Sequence, residues 1–150
     1  MPIEYRPAPP ELAAEYIELR GLTRENPITE EALRSFGITA KSWAQDIRSE
    51  QTQGFIALSG EQMVGYCFGD FRSGEVLVLA VRPAYEGQGI GQRLLALVVE
   101  LLKRHGYTRL FLGCSPDPAV RSHGFYRRLG WRSTGSLDKH GDEVLEFTWA

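Results

Sequence analysis

Three glycines at alternate positions, Gly87, Gly89 and Gly91, separate an apolar run from a long helical pattern. Before them, Val76 to Val81 is apolar on both faces, as a central strand covered on both sides should be. After them, Ile90, Leu94, Leu97, Val98, Leu101 and His105 repeat at helical spacing. Leu95, Val99 and Leu102 form a second stripe, so this helix should be buried on much of its circumference. A helix that starts at a glycine loop presents unpaired N–H groups at the positive end of its dipole. Glycine lets an anion approach the backbone and permits φ > 0. The arrangement predicts an anion site, suited to a phosphate or pyrophosphate. Spacing narrows the choice. A dinucleotide fingerprint needs Gly-x-Gly-x-x-Gly, but residue 92 is Gln, and no Walker Gly-Lys-Ser/Thr occurs.

The remaining punctuation sets the element order. Pro9 and Pro10 precede a helical pattern through Tyr16, Ile17 and Leu19 that Gly21 ends. Thr29 opens a second helix that falters at Gly37, and Thr39 or Ser42 caps a third through Ile47. Strands follow over Phe55–Leu58 and Met63–Phe71, then Glu75–Val81, with turns at Ser59-Gly60-Glu61 and Arg72-Ser73-Gly74. After the glycine loop and its helix come a buried strand at Leu110–Leu112, a helix over Ala119–Leu129, and a hairpin with strands Trp131–Leu137 and Val144–Trp149. The order is a strand, helices, three strands, helix, strand, helix, two strands. It predicts an α/β (α+β) fold with a mixed central sheet of about seven strands flanked by about four helices. The 150 residues suit a single domain, 1–150.

Composition removes several classes of function. Apolar residues make up 43% of the chain and the net charge is only −2, which excludes a disordered chain. No basic excess points to nucleic acid. No run approaches the length of a membrane span. The N-terminus has no apolar signal core, so a cytoplasmic protein is expected. Cys67 and Cys114 sit in apolar stretches and read as two buried thiols rather than a disulfide framework. The cysteines and the three histidines show no metal-ligand spacing, so no metal is expected.

The stretch Leu79-Ala80-Val81-Arg82-Pro83 through Gly91 and Leu94-Leu95 resembles the acetyl-CoA-binding motif of the GNAT family of N-acetyltransferases. That motif is Gln/Arg-x-x-Gly-x-Gly/Ala, here Glu86-Gly87-Gln88-Gly89-Ile90-Gly91. Downstream, Gly124-Phe125-Tyr126-Arg127-Arg128-Leu129-Gly130-Trp131 is similar to the family's Phe-Tyr-x-x-x-Gly-Phe segment. The resemblance covers nearly the whole chain and is strongest from Glu75 to Trp131. It implies the acyl-CoA N-acyltransferase type of fold and acetyl-CoA as co-substrate. It implies cofactor contacts from Leu79, Ala80, Val81, Glu86, Gly87, Gln88, Gly89, Ile90, Gly91 and Gln92. Position 86 departs from the pattern: a carboxylate beside a pyrophosphate repels it unless the side chain turns to solvent or pairs with an arginine. The Asn common early in the family's last helix is absent, with Ala119 and Val120 in its place.

The resemblance also implies two catalytic groups. Tyr126 would protonate the departing thiolate, which a phenol can do. Glu75, six residues before Val81, would act as general base, directly or through water. A base is useful because an alkyl amine is almost fully protonated at neutral pH. The bland alternatives are a packing tyrosine and a solvated strand-start residue. Helical periodicity puts Phe125 and Leu129 on one face, so Phe125 reads as core and Tyr126 as a flank facing a cleft. Arg93, Arg127 and Arg128 are candidate phosphate contacts, and His123 is an alternative base. The segment from Arg20 to Asn26 is expected to shape the acceptor site.

The expected function is acetyl transfer from acetyl-CoA to a primary amine, that of a small molecule before a protein Lys or N-terminus. A non-catalytic acyl-CoA sensor on the same scaffold is the alternative class, and the glycine spacing argues against a nucleotide-binding oxidoreductase. The closing hairpin, with Phe147 and Trp149, offers an edge for a homodimer.

Overall fold

The structure, a computed structural model, describes residues 2–24 and 27–149. Its strands are β1 (Ile3–Pro7), β2 (Thr52–Ser59), β3 (Gln62–Asp70), β4 (Glu75–Val81), β5 (Arg109–Cys114), β6 (Arg132–Leu137) and β7 (Glu143–Thr148). Its α-helices are α1 (Ala13–Arg20), α2 (Glu30–Ser35), α3 (Ala40–Arg48), α4 (Ile90–Arg104) and α5 (Arg121–Arg128). The strands form one mixed sheet in the order β1-β2-β3-β4-β5-β7-β6. Only β4 and β5 run parallel, because α4 carries the chain back between them.

The expected strand count and element order are present, but there are five α-helices where about four were expected. The short second and third helices stay separate because each has its own cap. The Thr29 hydroxyl accepts from the Ala32 amide at 3.1 Å. Thr39 and Ser42 form a reciprocal capping box, at 2.9 and 3.1 Å. Gly37, at φ +81°, turns the chain between the two. Helix α5 starts at Arg121, two residues later than the sequence pattern suggested. The Asp117 carboxylate takes the Ala119 amide (2.9 Å), and the Asp117 carbonyl takes that of Val120 (3.1 Å), so a turn intervenes.

The sheet carries a core on each face. On one side α4 buries Ile90, Leu94, Leu95, Val98 and Leu102 against the strands, as its two stripes predicted. On the other, α1 and α3 pack through Tyr16, Trp43, Tyr66 and Phe68, whose ring centroids lie 5.0 to 5.7 Å apart. The buried Tyr66 hydroxyl donates to the Tyr16 carbonyl at 2.8 Å, which ties α1 to the sheet. Cys67 and Cys114 are buried free thiols. No helix among the described residues is long and apolar enough to cross a membrane.

Strand β4 differs from the sequence reading in one respect. Val76 and Ala80 are buried, but Leu77 in its middle is 46% exposed. The ladder with β3 pairs Gly69 with Val76 and Phe68 with Val78, so Leu77 is the extra residue of a bulge. The bulge changes which side chains face which core. Val76 packs on the α4 side, while Val78 and Ala80 pack on the α1/α3 side. The strand is apolar throughout, but it is not covered throughout.

Helix α5 is fixed to the sheet by an ion pair, Arg127 Nη2 to Glu143 Oε1 at 2.6 Å, on β7. Hydrogen bonds from Arg127 and then Ser133 hold the Glu143 carboxyl below its ordinary range. A depressed carboxyl contributes stability above its unfolded pKa and loses it as pH falls through the folded value. Glu143→Gln should therefore cost about 1 kcal/mol near neutral pH, a melting shift of about 3 °C. In melting curves from pH 7 to 3, the gap between the two proteins should close as the wild-type carboxylate is protonated.

Candidate active site

Strands β4 and β5 share one ladder pair, Glu75 with Phe111, supported by a bond from the Phe111 amide to the Gly74 carbonyl at 3.3 Å. Past that point they part. The gap opens into a cleft of about 1050 Å³ lined by Val76 to Val81 on one side and Leu112 to Cys114 on the other. That volume is at the upper end of small-molecule sites. The β4–α4 loop and α5 bound one half of the cleft. The α1–α2 connection, α2 and the β6–β7 turn bound the other.

The first half is an anion cradle. Gly87 and Gly89 adopt φ +77° and +80°, and a Cβ added to either meets nothing within 4 Å, so the loop's outer surface is open. Gly89 caps α4 in the left-handed conformation, and the first amide that bonds back into the loop is Arg93, to the Gly89 carbonyl at 3.1 Å. The backbone N–H groups of residues 87 to 92 donate to no described residue. Consecutive free amides at the start of a fifteen-residue helix suit a phosphate or diphosphate. Of the ten sequence-predicted cofactor contacts, Leu79, Ala80, Val81, Glu86, Gly87, Gly89, Ile90, Gly91 and Gln92 line the cleft, and Gln88 does not. The Ile90 side chain is core, so only its backbone faces the cradle.

At the middle of the cleft the aromatic pair of α5 is the reverse of the helical-wheel expectation. Tyr126 is the buried ring, 9% exposed, and Phe125 is half-buried; both line the cleft. The reason is tertiary. Tyr126 packs edge-on to Phe125 and Trp131, at 5.1 and 6.1 Å, and reaches past them toward Cys67 and Cys114. No described residue hydrogen-bonds the Tyr126 hydroxyl. Burial, and then the two neighbouring thiols, raise its pKa against the opposing pull of Arg20. It stays a phenol, and so a proton donor, across the neutral range.

The second half of the cleft is apolar with a polar rim. Ile28, Leu33, Phe36, Ile38, Leu77 and Val78 supply the walls. Phe36, Ile38 and Leu77 are among the few large apolar side chains left exposed, so the exposed apolar surface is concentrated here. The Phe36 ring meets His140 of the β6–β7 turn edge-on at 5.9 Å, which roofs this half. Arg20, Thr23, Arg24, Lys139 and Asp142 complete it. Burial lowers the Arg20 pKa, and burial followed by Asp138 raises that of Asp142.

The other sequence candidates fall as follows. Glu75 stands at the closed end of the cleft, where the strands still pair, and is not part of its lining. Its carboxyl is raised by burial, then by Asp70 and Asp138. Arg127 is engaged by Glu143, and Arg93 lies 5.9 Å over the Tyr5 ring; neither lines the cleft, whereas Arg128 does. His123 is also outside it. In the Arg20–Asn26 segment, Arg20, Thr23 and Arg24 line the cleft, while Glu25 and Asn26 fall outside the described residues. Sequence reasoning missed Phe36, His140 and Asp142. Their one local signal was a pair of apolar residues, Phe36 and Ile38, beside the turn glycine of a short helix.

Residues 15–131 match the family described as "Acetyltransferase (GNAT) family". An uncharacterized N-acetyltransferase ycf52-like protein of Prochlorococcus marinus is 30% identical over 89 residues, covering 59% of this chain. The matched segment spans 43% of that relative's length. Among solved structures, the PaiA N-acetyltransferase of Thermoplasma acidophilum in complex with coenzyme A superposes with a TM-score of 0.81 at 20% identity, over 99% of this chain and 100% of that one. YncA, a putative acetyltransferase of Salmonella typhimurium with its cofactor acetyl-CoA, gives 0.75 at 18% identity, over 99% and 94%. At these identities the structures establish a shared fold.

The unbonded Tyr126 hydroxyl has a consequence for stability. Removing a buried hydroxyl that has no partner is close to neutral or slightly stabilising. Tyr126→Phe should melt within about 0.5 kcal/mol of the wild type by denaturant titration. A loss several times larger would mean that the hydroxyl has a structural partner.

Proposed function

The chain belongs to the acetyltransferase (GNAT) family, and on that footing we propose that it transfers an acetyl group from acetyl-CoA to the primary amine of a small molecule, with both bound in the cleft. The observation that carries this reading is the Tyr126 hydroxyl, buried, unbonded and in the cleft, next to a helix start whose amides are also unbonded. Acetyl-CoA, when bound, supplies a thioester carbonyl open to attack and a thiolate leaving group. The residues present fit that ligand. The amides of residues 87 to 92 receive its diphosphate. Backbone groups of Leu79, Ala80 and Val81, on the side of β4 that β5 has left, hold its amide-bearing arm and donate to the carbonyl oxygen.

Tyr126 holds its proton at the hydroxyl until a sulfur anion forms beside it, then donates it. Glu75 receives the ammonium proton. Because it stands outside the cleft lining, that proton reaches it through solvent at the closed end. Its raised pKa makes it a stronger base than an ordinary carboxylate. Two features favour a small acceptor: the apolar walls of the second half, and the Phe36–His140 contact that roofs it. A peptide would need an open trough there.

Thiol release from acetyl-CoA across a panel of amines, amino acids and peptides tests the reading. Tyr126→Phe should lower turnover about 10²–10⁴-fold while leaving donor affinity largely unchanged. Unchanged turnover would remove Tyr126 from the chemistry. Acetyl-CoA binding with no release across the panel would favour a sensor, and peptides outpacing small amines would move the acceptor to protein. Glu75 acts only when ionised, so wild-type kcat/KM should rise with pH through a limb above the usual carboxylate range, and Glu75→Gln should lose that limb.

A further inference from the structure

The carboxylate at residue 86 stands where the resemblance leads one to expect Gln or Arg. It is not turned to solvent: its side chain is 18% exposed. One oxygen, Oε2, takes two guanidinium groups from different parts of the chain. Arg121 at the start of α5 forms an ion pair and hydrogen bond with it, and Arg24, from the α1–α2 connection, approaches to 3.5 Å. Glu86 lies immediately before the free amides of residues 87 to 92, and all three charged residues line the cleft. Two cations and one anion leave a net positive charge at the positive end of α4.

We propose that Glu86 is an internal placeholder for a cofactor phosphate, and that Arg24 and Arg121 bind that phosphate once it displaces the carboxylate. This rests on the reading that acetyl-CoA is the donor. A phosphate carries more charge and more acceptor oxygens than a carboxylate, and a guanidinium pairs with it in a planar, two-bond geometry. When the diphosphate settles on the amides of residues 87 to 92, Glu86 is the nearest anion and is repelled. The two arginines exchange partners, and the Glu86 side chain swings outward. Arg24 belongs to the connection that walls the acceptor half of the cleft. Its transfer to the phosphate pins that connection, so the acceptor site is completed only after the donor has bound. Glu86 is thus a positioning residue: it keeps both arginines over an anion site that would otherwise hold unpaired like charges.

The test compares two donors, acetyl-CoA and S-acetylpantetheine, which carries the same thioester without phosphates. Steady-state kinetics are measured for wild type, Arg24→Gln, Arg121→Gln and Glu86→Gln. Each arginine variant should raise the KM for acetyl-CoA about tenfold and leave that for S-acetylpantetheine unchanged. Glu86→Gln should shift it the other way, lowering the KM for acetyl-CoA several-fold, again without effect on the phosphate-free donor. Arg24→Gln should also raise the acceptor KM with acetyl-CoA but not with S-acetylpantetheine. A merely structural role would move both donors together and all three variants in one direction, and either result overturns the proposal. So would Glu86→Gln weakening acetyl-CoA as the arginine variants do. Calorimetry on the wild type separates the two readings. No heat with acetyl-CoA ends the donor assignment itself, whereas normal binding without the opposed shifts ends only the placeholder.

Discussion

The parting of β4 from β5 after a single ladder pair is the constraint on which the rest of the site depends. Parallel strands bridged by a long helix ordinarily stay paired along their length. Here β5 turns away, and the backbone of β4 from Val76 onward loses its neighbour on that side. An unpaired strand edge inside a protein is costly unless something with matching donors and acceptors can lie along it. The cleft answers that requirement. Leu77, exposed in the middle of an otherwise buried strand, records the local distortion that accompanies the separation.

Two kinds of unsatisfied group converge on that opening. At one end, backbone amides at the head of α4 point at nothing in the fold. In the middle, a buried phenol bonds to no described residue. A folded chain usually pairs its polar groups, so paired absences in one cavity indicate a ligand with an anionic end and a reacting centre. The Glu86 ion pairs belong to the same logic. A carboxylate held by two arginines beside a helix start is a local anion in an anion's place. The α5 anchor through Glu143 then has a clear purpose: it fixes the helix that carries both Tyr126 and Arg121.

Much of this was legible from residue order. The alternating glycines, the two-striped helix and the caps at Thr29 and Thr39 are local signals, and each placed its element where it lies. The anion site followed from Gly87, Gly89 and Gly91 because a helix start and a positive φ are properties of a few adjacent residues. Tyr126 was identified as a site residue, but its burial relative to Phe125 was inverted. A helical wheel ranks faces only within one helix, and the contacts with Trp131, Cys67 and Cys114 come from three other elements.

The sequence alone therefore determined the elements, their order and the chemistry of the anion-binding loop, all of which depend on neighbours within about one helical turn. Tertiary structure alone decided where β4 and β5 part, that Phe36 meets His140 across the cleft, and that Glu86 is held by Arg24 and Arg121. Those pairings join residues 35 to 104 positions apart, Arg121 with Glu86 and Phe36 with His140 marking the two ends of that range. No periodicity spans such distances; only the packing of both sheet faces brings the partners together.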